Sequence, residues 1–249
     1  MALPRNPIVV IPARMASNRL PGKPLAEIGG EPMIVHVWRR AVEADLGPVL
    51  VAAAETEIAE AVKAAGGDAL LTRSGHPSGS DRVFEAVEAV DPDGRHDAVV
   101  NMQGDLPTIE ADIAGAVLGP LAEAEVDIAT LASAIGGEAE KTNPNVVKAV
   151  ISLQPGETVG RALYFSRAPV PCGEGPLYHH IGLYAFRRRA LARFAGLPRG
   201  GLERRERLEQ LRALENGMRI DAALVDRVPF AVDTPADLAR GRELLARGS

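Results

Sequence analysis

Apolar and polar positions alternate along this chain with two periods. An unbroken apolar, β-branched run at Ile8–Ile11 predicts a buried strand, and it empties into a loop punctuated by Pro12, Pro21, Gly22 and Pro24. Beyond it, Pro32 suits the first turn of a helix in which Met33, Ile34, Val37, Trp38, Ala41 and Val42 recur at helical spacing. The pattern then predicts a strand at Val49–Ala53, a helix at Glu57–Ala65 stopped by Gly66-Gly67, and a short strand at Ala69–Thr72. A helix entered through Ser78-Gly79-Ser80-Asp81 carries Val83, Phe84, Val87 and Val90, and a strand at Ala98–Met102 closes on Gln103-Gly104-Asp105. Strands alternating with short helices in this way predict an α/β fold, with a mainly parallel sheet covered by helices on both faces.

The rhythm changes after Pro107. A helix is expected over Ile109–Ala124, followed by strands at Ile128–Ala132 and Val146–Ser152. Residues from about Lys141 to Leu183 are strand-rich and proline-punctuated, which suits a small β-rich flap laid against the parallel sheet. Helices are expected at Arg188–Phe194 and Leu202–Glu215, and a strand at Ile220–Val225. Thr234 is placed to N-cap a last helix, with Pro235 in its first turn and Asp237 favouring the dipole. The charged run Leu202–Arg212 reads as mostly a solvated helix face with i,i+4 pairs. Gly29-Gly30 reads as a turn.

Composition narrows the class. A chain of 249 residues with 46% hydrophobic content is enough for one α/β domain with a subsidiary lobe. No apolar run is long enough to span a bilayer, and the first one is only strand-long, so no secretory leader is expected. Cys172 is the single cysteine, which excludes an internal disulfide and fits a reducing cytoplasm. A net charge of -5 with 4% aromatics argues against nucleic acid as a partner. Arg14, Arg19 and Lys23 in the first loop are therefore a local exception, and they point to a small anionic ligand. A basic, glycine-containing loop at the carboxyl end of a parallel strand suits a polyphosphate, although neither GxxxxGK[ST] nor GxGxxG is present.

Two acids close apolar strands: Asp105 in the turn QGD, and Asp233 before the last helix. Carboxyl ends of parallel strands share one rim, so the two can meet and offer hard oxygen ligands to Mg²⁺. Taken singly, each reads equally well as a turn acid or a helix N-terminal acid. The segment His76–Arg82 reads either as a loop closing over a nucleotide base or as an N-cap followed by a surface charge. His179 and His180 lack a third ligand at zinc spacing, and no GxSxG supports a serine nucleophile.

The motifs IPARMASNRLPGKPL, SGSDR, NMQGDLP, NPNVVK, YFSRAPVP, HHIGLYAF, LEQLR and VDTPADL occur in the order found in the 3-deoxy-manno-octulosonate cytidylyltransferases, which this chain resembles from about Ile8 to Leu244. The opening motif alone is shared in part with sialic-acid cytidylyltransferases; the combination is more specific. The resemblance implies a three-layer α/β/α mixed sheet of the nucleotide-diphospho-sugar transferase type, with a small β-rich flap or dimerisation subdomain. It divides a single nucleotidyltransferase domain, 1–249, into a nucleotide-binding sheet (about 8–140 and 219–245) and a sugar-binding and dimerisation lobe (about 141–218). It also implies a cytoplasmic, Mg²⁺-dependent homodimer that joins CTP to the acid sugar for lipopolysaccharide assembly, releasing pyrophosphate.

Carried over by position, Arg14, Arg19 and Lys23 would hold the triphosphate, and Ser78, Arg82 and Gln103 would contact the nucleotide. Asp105 and Asp233 would bind the metal, and with Arg14 and Lys23 would form the catalytic set. Gln103, Arg167, His180, Tyr184, Glu209 and Gln210 would line the sugar pocket, Arg167 facing a carboxylate. The other expectations from the residues are a cytidylyltransferase for a related acid sugar, such as an 8-amino derivative or a nonulosonate, and a non-catalytic nucleotide-binding protein. The chain departs from the family pattern at Leu106 (QGDEP), at Ala52-Ala53-Ala54 (ATD) and at Ser80-Asp81 (SGTER). These departures are read as tuning of the sugar or base pocket.

Overall fold

The computed structural model describes residues 2–17 and 19–247. In chain order it opens with β1 (Pro7–Ala13), the hairpin strands β2 (Glu27–Ile28) and β3 (Glu31–Pro32), and helix α1 (Met33–Glu43). There follow β4 (Val49–Ala53), α2 (Thr56–Ala64), β5 (Asp68–Leu71), α3 (Gly79–Val90), β6 (Ala98–Asn101) and α4 (Ala111–Ala116). The second half contains β7 (Ile128–Ala134), α5 (Glu138–Thr142), β8 (Lys148–Ser152), β9 (Val159–Ser166) and β10 (Tyr178–Arg187). It continues through α6 (Arg188–Gly196), α7 (Gly201–Glu206), α8 (Leu211–Glu215), β11 (Ile220–Leu224) and α9 (Pro235–Arg247).

These elements form two compact units. One comprises residues 6–115 and 229–249, the other residues 1–5 and 116–228. The sequence reading drew its lobe at about 141–218; the compact second unit also takes in β7 and β11. The reason is pairing, since β7 lies between β10 and β11 and is bonded to both.

In the first unit the strands run in the order β5-β4-β1-β6 and every pairing is parallel. β1 is central, so Ile8–Ile11 is buried throughout, as its lack of polar alternation requires. Its carboxyl end delivers the basic loop. There Gly22 adopts φ 72 and opens a 3-10 turn, Lys23–Leu25, with Pro24 buried. The turn is seated by an apolar cluster of Ile28, Met33, Val232 and Leu238, with Leu20 packed against it. Gly29 and Gly30, both at positive φ, make the tight β2–β3 turn that brings the chain back into α1.

In the second unit the order is β10-β7-β11-β9-β8, with β7–β11 parallel and the other pairings antiparallel. The change from parallel to antiparallel pairing is the change of rhythm seen in the sequence. β10 carries a bulge between Ile181 and Tyr184 against β7.

Two expected helices are broken. Ile109–Ala124 becomes α4 and a separate 3-10 turn, Gly119–Ala122, because Gly115 weakens the first and Pro120 starts the second. Leu202–Glu215 becomes α7 and α8, divided at Arg207, which stands in the left-handed region at φ 57. The run Leu202–Arg212 is solvated only in part: Arg204, Arg205 and Arg207 are exposed, but other charges turn inward. Glu203 and Arg212 are 2% and 1% exposed and pair at 2.9 Å, and the Arg212 guanidinium lies 4.4 Å from the Phe194 ring centre.

Candidate functional site

The first unit gathers the charges that the sequence singled out. The Lys23 ammonium donates to Asp105 Oδ2 at 2.8 Å and to Asp233 Oδ1 at 3.1 Å. Arg19 Nη2 lies 3.0 Å from the other Asp233 oxygen. Asp105, in the turn after β6, and Asp233, just before α9 and not at the end of a strand, therefore converge on one cation. Burial disfavours the Lys23 charge, but Asp105 and Asp233 more than offset it, and its pKa is raised. The backbone locks the pair, since Val232 N–H donates to Asp105 O at 2.9 Å. At the start of α9, the Asp237 carboxylate accepts from the backbone N–H groups of Asp233 and Thr234 at 3.2 and 2.9 Å, and Thr234 Oγ1 accepts from Asp237 N–H at 3.2 Å. Thr234 is thus the expected cap, and Asp237 does more than favour the dipole: it fixes the backbone that carries Asp233.

Around the rest of this rim, Arg14 is exposed just beyond β1. Ser78 caps α3, accepting from Asp81 N–H at 3.3 Å and donating to Asp81 Oδ2 at 2.6 Å. A Cβ added to Gly79 would sit 3.4 Å from Pro12 and 3.6 Å from Gln103 Nε2, so the start of α3 borders both the end of β1 and the QGD turn. Gln103 Nε2 donates to Asn101 Oδ1 at 3.1 Å, and Asn101 Nδ2 donates to the buried Ser80 hydroxyl at 3.0 Å. Arg82 is buried. Its guanidinium donates to Thr72 Oγ1 at 2.5 Å, Arg73 O at 3.0 Å and Ser74 O at 3.3 Å, clamping the loop that precedes α3. Burial lowers the Arg82 pKa, and Arg14, among the charges around it, works in the same direction.

In the second unit, His180 and Tyr184 lie on β10, Glu209 and Gln210 just before α8, and Arg167 just beyond β9. Tyr184 donates its hydroxyl proton to Gln210 Oε1 at 3.1 Å, and both residues are buried. Gln210 Nε2 is buried with no hydrogen-bond partner among the described residues. Burial raises the Tyr184 pKa, and the Glu209 carboxylate pushes the same way. The His180 ring meets Phe165 edge-on at 4.7 Å and Tyr184 at 5.6 Å. Burial, helped by His179, lowers the His180 pKa to about 3, so the ring is neutral. Arg167 donates from Nε to Glu206 O at 2.8 Å and from Nη1 to Pro144 O at 2.9 Å, which fixes the plane of its guanidinium. Gln103 belongs to the first unit.

Residues 8–220 match the family model described as "Cytidylyltransferase". The 3-deoxy-manno-octulosonate cytidylyltransferase of Paramagnetospirillum magneticum is 67% identical over 96% of this chain and 98% of that protein. The enzyme of the same name from Rhodospirillum rubrum is 68% identical over 96% of this chain and 95% of its own length. The chain belongs to the 3-deoxy-manno-octulosonate cytidylyltransferase family. A solved structure of CMP:2-keto-3-deoxy-manno-octonic acid synthetase complexed with CTP matches at a TM-score of 0.89 and 39% identity, covering 98% of this chain and 100% of that one. The α/β nucleotide-diphospho-sugar transferase type of fold follows from that likeness.

For a member of this cytidylyltransferase family, several supporting residues escaped the sequence reading. Ala52–Ala54 looked like the loss of an acid from the rim. However, the Glu55 carboxylate accepts from Met15 N–H at 2.9 Å, pinning the basic loop, and its charge favours that of Arg82. An acid two residues beyond β4 was the available signal. Leu106 is buried at 5% exposure, so the departure at QGDLP adds to the packing beneath the turn. Asn101 and Thr130 sit inside apolar strands, where nothing local marks a polar side chain as part of a site. Among the described residues no cluster of three or more His, Cys, Asp or Glu could hold a metal.

Proposed function

We propose that this protein transfers the cytidylyl group of CTP to 3-deoxy-manno-octulosonate, releasing pyrophosphate, with Mg²⁺ bound through Asp105 and Asp233. The observation that carries the reading is the convergence of those two carboxylates on the Lys23 ammonium, with Arg19 beside it. The donor set fits the ion. Two carboxylates already share one cation, and a site of one or two carboxylates completed by phosphate oxygens and water is what Mg²⁺ commonly uses. When bound, the ion would polarise the phosphates and stabilise the charge that develops on them.

The chain's own residues supply the rest. Arg14, Arg19 and Lys23 hold the triphosphate, and Lys23 follows the leaving pyrophosphate as it gains charge. Ser78, Arg82 and Gln103 form the nucleotide side, Arg82 by holding the 72–74 backbone in shape. The anomeric hydroxyl oxygen bonds to the α-phosphorus as the α–β phosphoanhydride bond breaks, so no covalent intermediate with the protein is needed. Arg167 pairs with the sugar carboxylate. His180, Tyr184, Glu209 and Gln210 take the hydroxyls, and the orphaned Gln210 amide gains a partner when the sugar binds. The relatives' name and the CTP complex of the 39% identical synthetase support this assignment. Cytoplasmic location, a homodimer and a role in lipopolysaccharide assembly belong to the same proposal.

The test is pyrophosphate release from CTP and the acid sugar, run beside Asp105→Asn and with EDTA. Release by the parent protein, abolished by either change, is the expected result. Release that survives both would remove Asp105 and the metal from the mechanism. Faster turnover of an 8-amino or nonulosonate sugar in the same assay would reassign the acceptor.

A further inference from the structure

Thr130 lies in the middle of β7 with no exposed surface, opposite the bulge of β10. Its hydroxyl oxygen is 2.9 Å from Leu183 O, 3.2 Å from Ile181 O and 3.0 Å from His180 Nε2. A hydroxyl has one proton to give, and both carbonyl oxygens can only accept. If the proton went to the ring nitrogen, two carbonyl oxygens would face the hydroxyl oxygen at hydrogen-bond distance with no proton between them. Donation to Leu183 O avoids this and leaves the Thr130 oxygen to accept from a ring N–H. The buried imidazole is neutral and carries a single N–H, so that proton lies on Nε2. Nδ1 then carries a lone pair, and it has no hydrogen-bond partner among the described residues.

We propose that Thr130 is a positioning residue that holds His180 as the Nε2–H tautomer, leaving Nδ1 to accept a hydrogen bond from a hydroxyl of the acid sugar. The bulge explains why the arrangement can be built. It inserts Gly182 and Leu183 opposite the step from Leu131 to Thr130, and so brings two strand carbonyls to one side chain. A second shell that sets the tautomer of a binding histidine is a general device for choosing whether the ring offers a donor or an acceptor. The substrate half of this inference rests on the function proposed above; the tautomer does not.

The experiment is long-range ¹H–¹⁵N correlation on histidine-labelled, ligand-free protein, with His180 assigned from the spectrum of His180→Asn. Nε2–H on His180 is the expected result, and Nδ1–H overturns the proposal. Thr130→Val, which keeps the shape and removes the hydroxyl, should change the His180 signals. It should also raise KM for the acid sugar about tenfold while leaving KM for CTP unaltered. Thr130→Ser should restore both. A Thr130→Val protein with an unchanged spectrum and unchanged sugar KM would overturn the assignment, and so would an equal rise in both KM values, which marks a general loss of structure. Failure of the unsubstituted protein to use the sugar would fail the functional reading, and the ligand-free spectrum would still decide Thr130.

Discussion

Lys23 and Asp105 lie 82 residues apart in the chain, yet the ammonium donates to Asp105 Oδ2 at 2.8 Å. The same ammonium holds Asp233, so this lysine neutralises two like charges that would otherwise repel each other. Lys23→Met removes that neutralisation and, in the proposed reaction, a cation for the leaving phosphates. It should lower kcat/KM for CTP by about 10²–10³, the usual effect of losing one charge-stabilising donor from an active site. The linkage has a definite sign. Because the folded pKa lies above the ordinary lysine value of 10.5, the stabilisation is complete below that pH and is lost as pH rises through the folded pKa. Alkaline unfolding followed by circular dichroism should therefore show a smaller pH-dependent loss in Lys23→Met than in the parent.

Glu85 gives the acid counterpart. Burial works against its charge, but Arg73 N–H and Nε at 2.9 and 2.7 Å, with His76, more than offset this and hold its pKa down at about 2. A depressed carboxyl contributes stability above its unfolded pKa, here 4.5, and loses it as pH falls towards about 2. Glu85→Gln should cost about 1 kcal/mol at pH 7, the partners being partly screened by solvent. The difference from the parent should shrink steadily below pH 4.5. Urea titrations across that range would measure it, and a gap independent of pH would show that the carboxylate's charge is irrelevant.

Glu203 and Arg212 make a different kind of pair, since both are almost fully buried. Removing Glu203 takes from the buried Arg212 guanidinium two bonds of 2.9 Å, one to each carboxylate oxygen. Glu203→Ala should destabilise by about 3–5 kcal/mol, although Arg212 would keep its place over Phe194. In a chain of this size that corresponds to roughly a 6–20 °C fall in Tm by calorimetry. Replacing both, as Glu203→Met with Arg212→Leu, should recover most of the loss.

What could be read in advance follows from how local each signal is. The buried run Ile8–Ile11, the Thr234 cap and the Gly29-Gly30 turn are written in a few adjacent residues, and each stands where it was expected; Ser78 is a cap, one of its two readings, but the Arg82 that follows is buried and not a surface charge. Asp105 stands in the turn after β6 as expected, but among the described residues no strand lies between β11 and α9, so Asp233 does not close one; the backbone bond from Val232 to Asp105, not a shared strand rim, brings the two acids together. The Glu203–Arg212 pair could not be foreseen, because a charged run such as LERRERLEQLR does not reveal which charges turn inward. The break at Arg207 was hidden too: a non-glycine residue at φ 57 carries no compositional mark. The helix expected through Ile109–Ala124 is the opposite case, since Gly115, Gly119 and Pro120 were visible and outweighed the apolar spacing. Thr130 acts through a bulge, and a bulge is a property of two strands together.

Gln210 separates binding from stability. Its Oε1 accepts the Tyr184 proton, while its Nε2 is buried without a partner, an arrangement that costs about 1–3 kcal/mol in the free protein. Gln210→Leu removes that penalty and also removes the acceptor for Tyr184, so the two effects offset each other. Thermal stability should change by less than about 1 kcal/mol. On the proposed reading sugar binding has no such compensation, because the donor lost is the one assigned to the substrate. KM for the acid sugar should rise by about tenfold or more, with KM for CTP unchanged. Calorimetric unfolding and steady-state pyrophosphate release on the same preparation would measure both. A large loss of stability with an unaltered sugar KM would make Gln210 a structural prop for Tyr184, and would remove it from the sugar site.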